Sequence, residues 1–552
     1  MGDPDEIHLG ERGGGGGGGE EEGGKGDNDV HDEIEYRYLT FSTDLSPAEP
    51  RILSQNDNNQ PPVPPRPPHL SQFSDPQGWS RTRKSFVTWL SCLSTFFTTW
   101  TPGAYTAGSP QYQTEWGVSN LAVYCGITVF TLCFAVAPMV LASLSEITGR
   151  RPLFVTAGVV FAVSQLGSAV TQSFAGMLVT RALAGMSCSV FSAVVGGVIS
   201  DIYVAKDRNT AMAIFTGAAL AGTGVGPLVS SVIEQHLSWR WIFYLQTITC
   251  SLMVAALCLF FPETRGNVLL SRKASVLNAW YDAVQHSQSA PPPPSFPSSP
   301  SAVVQIRWRV KADEDRASVP QLVKTSLLRP IQLLVTESVV FWFSIWMSFA
   351  WSILYMTFEI IPLVFERVYG FSAQAAGLCF TPVIVASLLG TVAAVWQDGL
   401  LLGGPDVAAL TTTPPPEIRL VFACFQALLL PAGLFWLGAT SRPSIPWVVP
   451  VLSIGSTTLG IFTVYLAVFN YLADTYHTYA SSAIAAQSFT RNVFAACLPL
   501  AVEPMFNTLG PTGSGCLLGS IGLALGVVPW VLVLWGPRIR ARSPILSALA
   551  IT

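Results

Sequence analysis

Charged side chains inside long apolar runs hold most of the chemistry this sequence can offer, because the runs contain so few of them. Arg181 and Arg491 lie inside such runs, Glu359 towards the end of one, and Asp201 and Asp474 at the ends of two others. A carboxyl held in low dielectric favours its neutral form and can load and release a proton. Glu359 is therefore the first candidate for a proton carrier, with Asp201 and Asp474 next. Its alternative is a structural acid paired with a nearby base or with water. A guanidinium inside an apolar run is costly unless it finds partners. Arg181 can tune a proton site, bind an anionic ligand or sit in a fixed ion pair. Arg491 has the same choices, with Glu359 or Glu503 as an acid it can face.

Polar and aromatic residues in the runs are candidates for lining a small-molecule cavity: Trp100, Tyr105, Gln165, Gln246, Tyr355, Asn470 and Asn492. Aromatic walls suit amphiphilic or cationic ligands, although such residues also face lipid or neighbouring helices. His236 and His477 lie at run ends, form no metal-ligand cluster, and lack the HxxxxD spacing of a membrane-embedded acyltransferase. No GxxxxGK[ST] loop occurs, so ATP drive is not expected. No cofactor or metal is expected, and any work the chain does should draw on an ion gradient. Most of the 10 cysteines sit inside apolar runs without a CxxC pair, as small packing residues do.

The elements that must position these residues are membrane-crossing helices. Half of the 552 residues are hydrophobic and only 12% are charged, against about 25% in ordinary globular domains. The apolar residues fall in blocks of about twenty, enough to cross a hydrocarbon layer as a helix. Twelve spans are expected, near residues 86–107, 119–142, 153–172, 176–200, 209–232, 241–261, 337–360, 375–396, 419–439, 447–469, 480–503 and 515–535. The chain divides into a disordered tail (1–78), a six-helix bundle (79–261), a polar linker without a core of its own (262–335), a second six-helix bundle (336–536) and a short tail (537–552). The first tail holds the Gly13 to Gly19 run, Glu20 to Glu22 and the Pro61 to Pro68 tract; the linker holds Pro291 to Pro294. The net charge of −4 argues against a nucleic-acid partner. A small-molecule substrate and the lipid bilayer are the expected partners, and a monomer is expected.

Basic residues segregate. One side receives Arg81, Arg83, Lys84, Arg150, Arg151, Lys206, Arg208, Arg419, Arg538, Arg540 and Arg542; the other receives Arg240, Arg367 and Arg442. The positive-inside rule then puts both termini in the cytoplasm, with the plasma membrane the first expectation.

Local motifs sharpen the silhouette of six plus six spans. Glu146-Ile-Thr-Gly149-Arg150-Arg151-Pro152 follows the second span, where a basic turn can anchor at headgroups and an acid can meet a helix end. The fourth span carries Arg181-Ala-Leu-Ala-Gly185. The fifth carries Gly222-Thr-Gly224-Val-Gly226-Pro227, closed by Ser230-Ser231, shortly before Trp239-Arg240-Trp241. Small residues allow close helix contact and proline bends a span. Pro262-Glu263-Thr264, Leu354-Tyr355, Tyr369-Gly370-Phe371 and Asn470-Tyr471-Leu472-Ala473-Asp474 complete the set. From about Asp75 to Arg540 the chain resembles the major facilitator superfamily, and within it the fungal drug:proton antiporters with twelve spans. Ala142, Ile147, Ser230 and Ser231 depart from the pattern. The resemblance implies an all-α membrane protein of two six-helix bundles that exports drugs, polyamines or secondary metabolites against protons. An uptake carrier or facilitator for a nutrient or organic acid is the alternative within transport; a membrane enzyme, receptor or channel fits less well.

Overall fold

The computed structural model describes residues 34–43, 70–204, 207–288, 305–314, 319–402, 417, 420–476 and 479–543. The Gly13–Gly19, Glu20–Glu22, Pro61–Pro68 and Pro291–Pro294 tracts, Lys206, Arg419 and His477 lie outside them.

The chain is built from long helices, because each apolar block satisfies its backbone only by coiling on itself. The first half contains α1 (Arg81–Ala107), the short α2 (Ser109–Trp116), α3 (Asn120–Thr148), α4 (Arg150–Val170), α5 (Phe174–Ile202), α6 (Arg208–His236) and α7 (Arg240–Phe260). A connecting region follows, with α8 (Gly266–Gln288), α9 (Lys311–Glu314) and α10 (Val319–Thr336). The second half holds α11 (Ser338–Arg367), α12 (Ala373–Leu378), α13 (Thr381–Leu402), α14 (Val421–Gln426), α15 (Leu429–Thr440), α16 (Val448–Tyr476), α17 (Ala480–Cys497), α18 (Val502–Leu525) and α19 (Val528–Ala541). Helical structure therefore stands at every expected span, with α12–α13, α14–α15 and α18–α19 acting as broken pairs.

Among the described residues ten helical stretches are long and apolar enough to cross a membrane. Residues 480–541 count as one of them, although they cover two expected spans; the direction changes at Gly510, whose φ of 67° lies outside the helical region. Helix α1 does not qualify. Its Thr88, Ser91, Ser94, Thr95, Thr98, Thr99 and Thr101 are buried, and most of their hydroxyls bond carbonyls four residues back. That back-bonding satisfies polar groups inside a bundle. So α1 reads as polar because it is interior, not because it is exposed.

Two seams join the halves: α6 runs along α12 and α13, and α3 along α17. The glycines of α6 serve two surfaces. A Cβ at Gly222 would collide with the Phe96 carbonyl, and one at Gly226 with the Trp100 carbonyl, so this pair brings α6 onto α1. Gly217 and Gly224, seven residues apart, instead meet Thr391 and Val383 of the other half. Ser231 continues that second line against Gly377. Helices this close tolerate no larger side chain.

The connecting region differs from the expectation of an uncored linker and a wholly disordered first tail. Ile34–Tyr38 (β1) pairs in parallel with Gln305–Arg309 (β2), Ile34 opposite Gln305 and Tyr38 opposite Arg309. Leu39, Ala274, Leu277, Trp308 and Val310 bury one another. The Asn278 amide bonds both backbone groups of Trp308, at 2.9 and 2.8 Å. Neither segment has a core alone; together with α8 they make a small one. Helix α10 lies across the same face of the molecule, packed on α3 and α17, with Ser326 bonded to Ser143 at 2.5 Å. This is called the linker face below.

Candidate functional site

At the linker face the loop motif is a structural knot. Gly149 has φ 101°, and a Cβ there would strike the Glu263 carboxyl. Glu263 is buried and caps the start of α4, accepting from Arg150 N at 2.8 Å and Arg151 N at 3.3 Å. It also accepts from the backbone of Thr264 and Arg265, each at 3.0 Å. Arg150 and Arg265 both reach Asp201, at 3.1 Å, and Arg265 reaches Glu146 at 3.8 Å. Four helix ends, those of α3, α4, α5 and α7, are thereby tied together. Asp201 has two arginines on it.

Asp474 is also engaged, but across the halves. Arg208 at the start of α6 donates to it at 2.6 Å. One turn away Asn470 donates to Asn209 at 2.5 Å. These two contacts bolt α6 to α16 at the linker face. Asn470, expected in a cavity wall, makes this bolt and also borders, with Asn209, a cavity of about 480 Å³.

On the opposite face the halves meet through Glu503, which accepts from Arg367 at 2.9 Å and from Asn120 at 2.8 Å. Beside that contact a cleft of about 220 Å³ enters between the halves, with Tyr124, Pro227, Phe358, Glu359 and Glu366 in its wall. Glu359 is buried, and neither carboxyl oxygen has a hydrogen-bond partner among the described residues. Nearby, Glu115 takes Arg240 at 2.8 and 3.0 Å and the Trp239 indole at 2.7 Å. The Arg240 guanidinium, helped by Trp239, holds the Glu115 carboxyl below the usual carboxylate range against the opposing effect of partial burial.

The centre carries the two arginines. Arg181 of α5 donates to the Gly126 carbonyl at 3.3 Å and the Thr101 carbonyl at 3.4 Å. Its guanidinium lies 4.5 Å from the ring centres of Tyr105 and Phe130. Thr101 also joins Gln165 and Gln246, at 3.3 and 3.2 Å. Pro102 frees one further α1 carbonyl nearby: it has no N–H for that of Thr98, which takes the Cys188 thiol at 3.4 Å instead. Arg491 of α17 sits 4.6 Å from Trp351 and 5.1 Å from Tyr465, and donates to Ser488 at 3.3 Å. It faces neither Glu359 nor Glu503, the two acids expected for it; aromatic rings occupy that position. Tyr355 of α11 stands within electrostatic reach of both guanidiniums.

The structure thus brings Tyr105, Gln165 and Gln246 together around Arg181, and Trp351 and Asn492 near Arg491, with Tyr355 against Trp351. Trp100 is buried on α1. None of the seven expected lining residues borders the cleft that holds Glu359. Sequence reasoning passed over Thr101, Trp351, Ser488 and Asn209, and named Glu503 only as an acid for Arg491, not as the contact between the halves. Thr101 had a signal, its place beside a proline inside a span.

The sequence model of the Major Facilitator Superfamily matches residues 86–499. The chain belongs to the major facilitator superfamily. Within the superfamily it is similar to fungal drug-efflux proteins. An MFS-type transporter, paaT, of Penicillium rubens is 29% identical over 85% of this chain and 81% of its own length. The efflux pump FUB11 of Gibberella moniliformis is 30% identical over 84% of this chain and 74% of its own. Among solved structures, the superfamily's proton:xylose symporter XylE aligns over 82% of this chain and 97% of its own with a TM-score of 0.56 and 14% identity. That last likeness concerns the superfamily fold, an all-α membrane protein.

Proposed function

We propose that this chain is a proton-coupled exporter of small organic molecules, with Glu359 as the proton carrier. It works as a monomer in the plasma membrane, with the linker face and both termini cytoplasmic. It catalyses no reaction, holds no cofactor and binds no nucleic acid. One observation carries the reading: a buried carboxyl without a partner lines a cleft between the two halves. A carboxyl so placed can exchange protons with one side, become neutral, and be carried to the other side as the halves rock. Asp201 and Asp474 are less suited, because each is held by arginine. Relatives named as an efflux pump and a multidrug transporter support export, and the segregated basic residues support the orientation.

Inside-out vesicles with an acid interior test this, with 1-naphthylacetate and rhodamine 6G as parallel probes. Glu359→Gln keeps size and hydrogen bonding but cannot titrate. Gradient-driven uptake should fall at least tenfold while exchange between equal pools persists. Normal uptake by the variant would move coupling to Asp201 or Asp474. Uptake indifferent to a protonophore would make the protein a facilitator.

A further inference from the structure

Two guanidiniums at the centre of this molecule have no counter-ion among the described residues. Arg181 and Arg491 are 0% and 1% exposed, and arginine stays charged at any pH a cell meets. Among the described residues, no carboxylate bonds to either; their acceptors are the Gly126 and Thr101 carbonyls and the Ser488 hydroxyl. Ring faces supply the remaining contacts. Among the described residues neither carboxyl oxygen of Glu359 has a hydrogen-bond partner, so Glu359 is bonded to neither arginine. An unpaired buried charge is strongly destabilising, and such an arrangement is stable when an anion arrives to complete it.

The unfilled hydrogen-bonding capacity has the same sign. Among the described residues, Arg181 Nη2, Arg491 Nε and Nη1, and the Trp100 and Trp351 indoles have no hydrogen-bond partner. Each is a donor that can never accept. The unmatched amides of Gln165 and Gln246, both on the Thr101 hydroxyl, can turn either end toward a ligand, whereas Asn492 is held through Nδ2 by the Ser488 carbonyl and leaves its acceptor Oδ1 unmatched. Aromatic faces complete the surround, and Tyr355 lies 6.1 Å from Trp351, ring centre to ring centre.

We infer that the transported molecule is an organic anion, a carboxylate on an aromatic or apolar body, held between Arg181 of the first half and Arg491 of the second. The inference rests on the transporter reading above, but not on its proton coupling. An anion touching both cations neutralises the centre when the halves close on it, so that substrate and closure stabilise each other. The proton site at Glu359 is separate from it.

Equilibrium binding to the purified full-length protein in detergent, with no gradient present, tests the proposal. The probe is tritiated 1-naphthylacetate, in competition with 1-naphthylacetamide and 2-(1-naphthyl)ethylammonium, which share its ring and differ in charge. The carboxylate should bind at least tenfold tighter than either competitor. Arg491→Gln should erase that preference and leave amide affinity within twofold, and Arg491→Lys should restore part of it. Arg181→Gln should behave likewise; if it fails to fold, the Arg491 pair decides. Equal or tighter binding of the ammonium compound, an undiminished carboxylate preference in Arg491→Gln, or no binding by monodisperse wild-type protein would overturn the inference. Loss of proton coupling in vesicles would leave the binding result standing, so the two readings fail separately.

Discussion

Opening the linker face requires breaking the contact between Arg208 and Asp474, and its energy can be worked from the structure. The pair is short, at 2.6 Å, with side chains only 15% and 18% exposed. Two unit charges at contact attract by about 4 kcal/mol at an effective dielectric near 20. Rehydration of both groups on opening returns most of that. A net preference of about 1–2 kcal/mol for the closed face remains, or roughly 5–30-fold in population. Asp474→Asn keeps the shape and removes the charge, so it should shift the ensemble toward an open linker face by that factor. Pulsed electron resonance between labels at Ser200 and Ala541, both exposed, reads the change as growth of a longer-distance population. The exposed cysteines Cys258, Cys497 and Cys516 are replaced first. Because Arg208→Gln removes the same interaction, the double variant should match the stronger single one rather than their sum. Unchanged distances in Asp474→Asn, or additive effects in the double variant, would refute the reasoning.

Other perturbations have equally defined outcomes. Glu263→Ala strands the Arg150 and Arg151 amides at the start of α4. It should cost about 2–4 kcal/mol, seen as a lower melting temperature in detergent, with Glu263→Gln losing less. Gly222→Leu should abolish folded expression because it collides with the α1 backbone, whereas Gly399→Ala, with nothing nearby, should be silent by fluorescence size-exclusion. The Glu115–Arg240 pair should lose its contribution on acidification. With the folded-state carboxyl lowered, that contribution is fully present above the unfolded value near ~4.3 and disappears as pH falls through the folded one. The pair is 37% and 28% exposed, so solvent screening holds it to about 1 kcal/mol. Melting curves of Glu115→Gln should be correspondingly less sensitive between about pH 5 and pH 3.

What was legible without coordinates is what short stretches of chain determine by themselves. Apolar blocks of helix length fix where spans lie, since each helix closes its own hydrogen bonds. Gly222, Gly226 and Pro227 announced close packing. Glu359, Arg181 and Arg491 stood out as charges in apolar surroundings. Partners were not legible, because they come from other helices. Asp201 meets Arg150 and Arg265, and Asp474 meets Arg208, 266 positions away. Arg491 meets rings instead of an acid, a choice that depends on how α11, α16 and α17 rotate against one another. The β1–β2 pair shows the same limit. Ile34-Glu-Tyr-Arg-Tyr38 and Gln305-Ile-Arg-Trp-Arg309 each alternate as strands do. A strand becomes stable only beside its partner, and that partner lies 271 residues along the chain. Local composition decides what a segment can be; the distant residues that satisfy its charges and edges decide what it is.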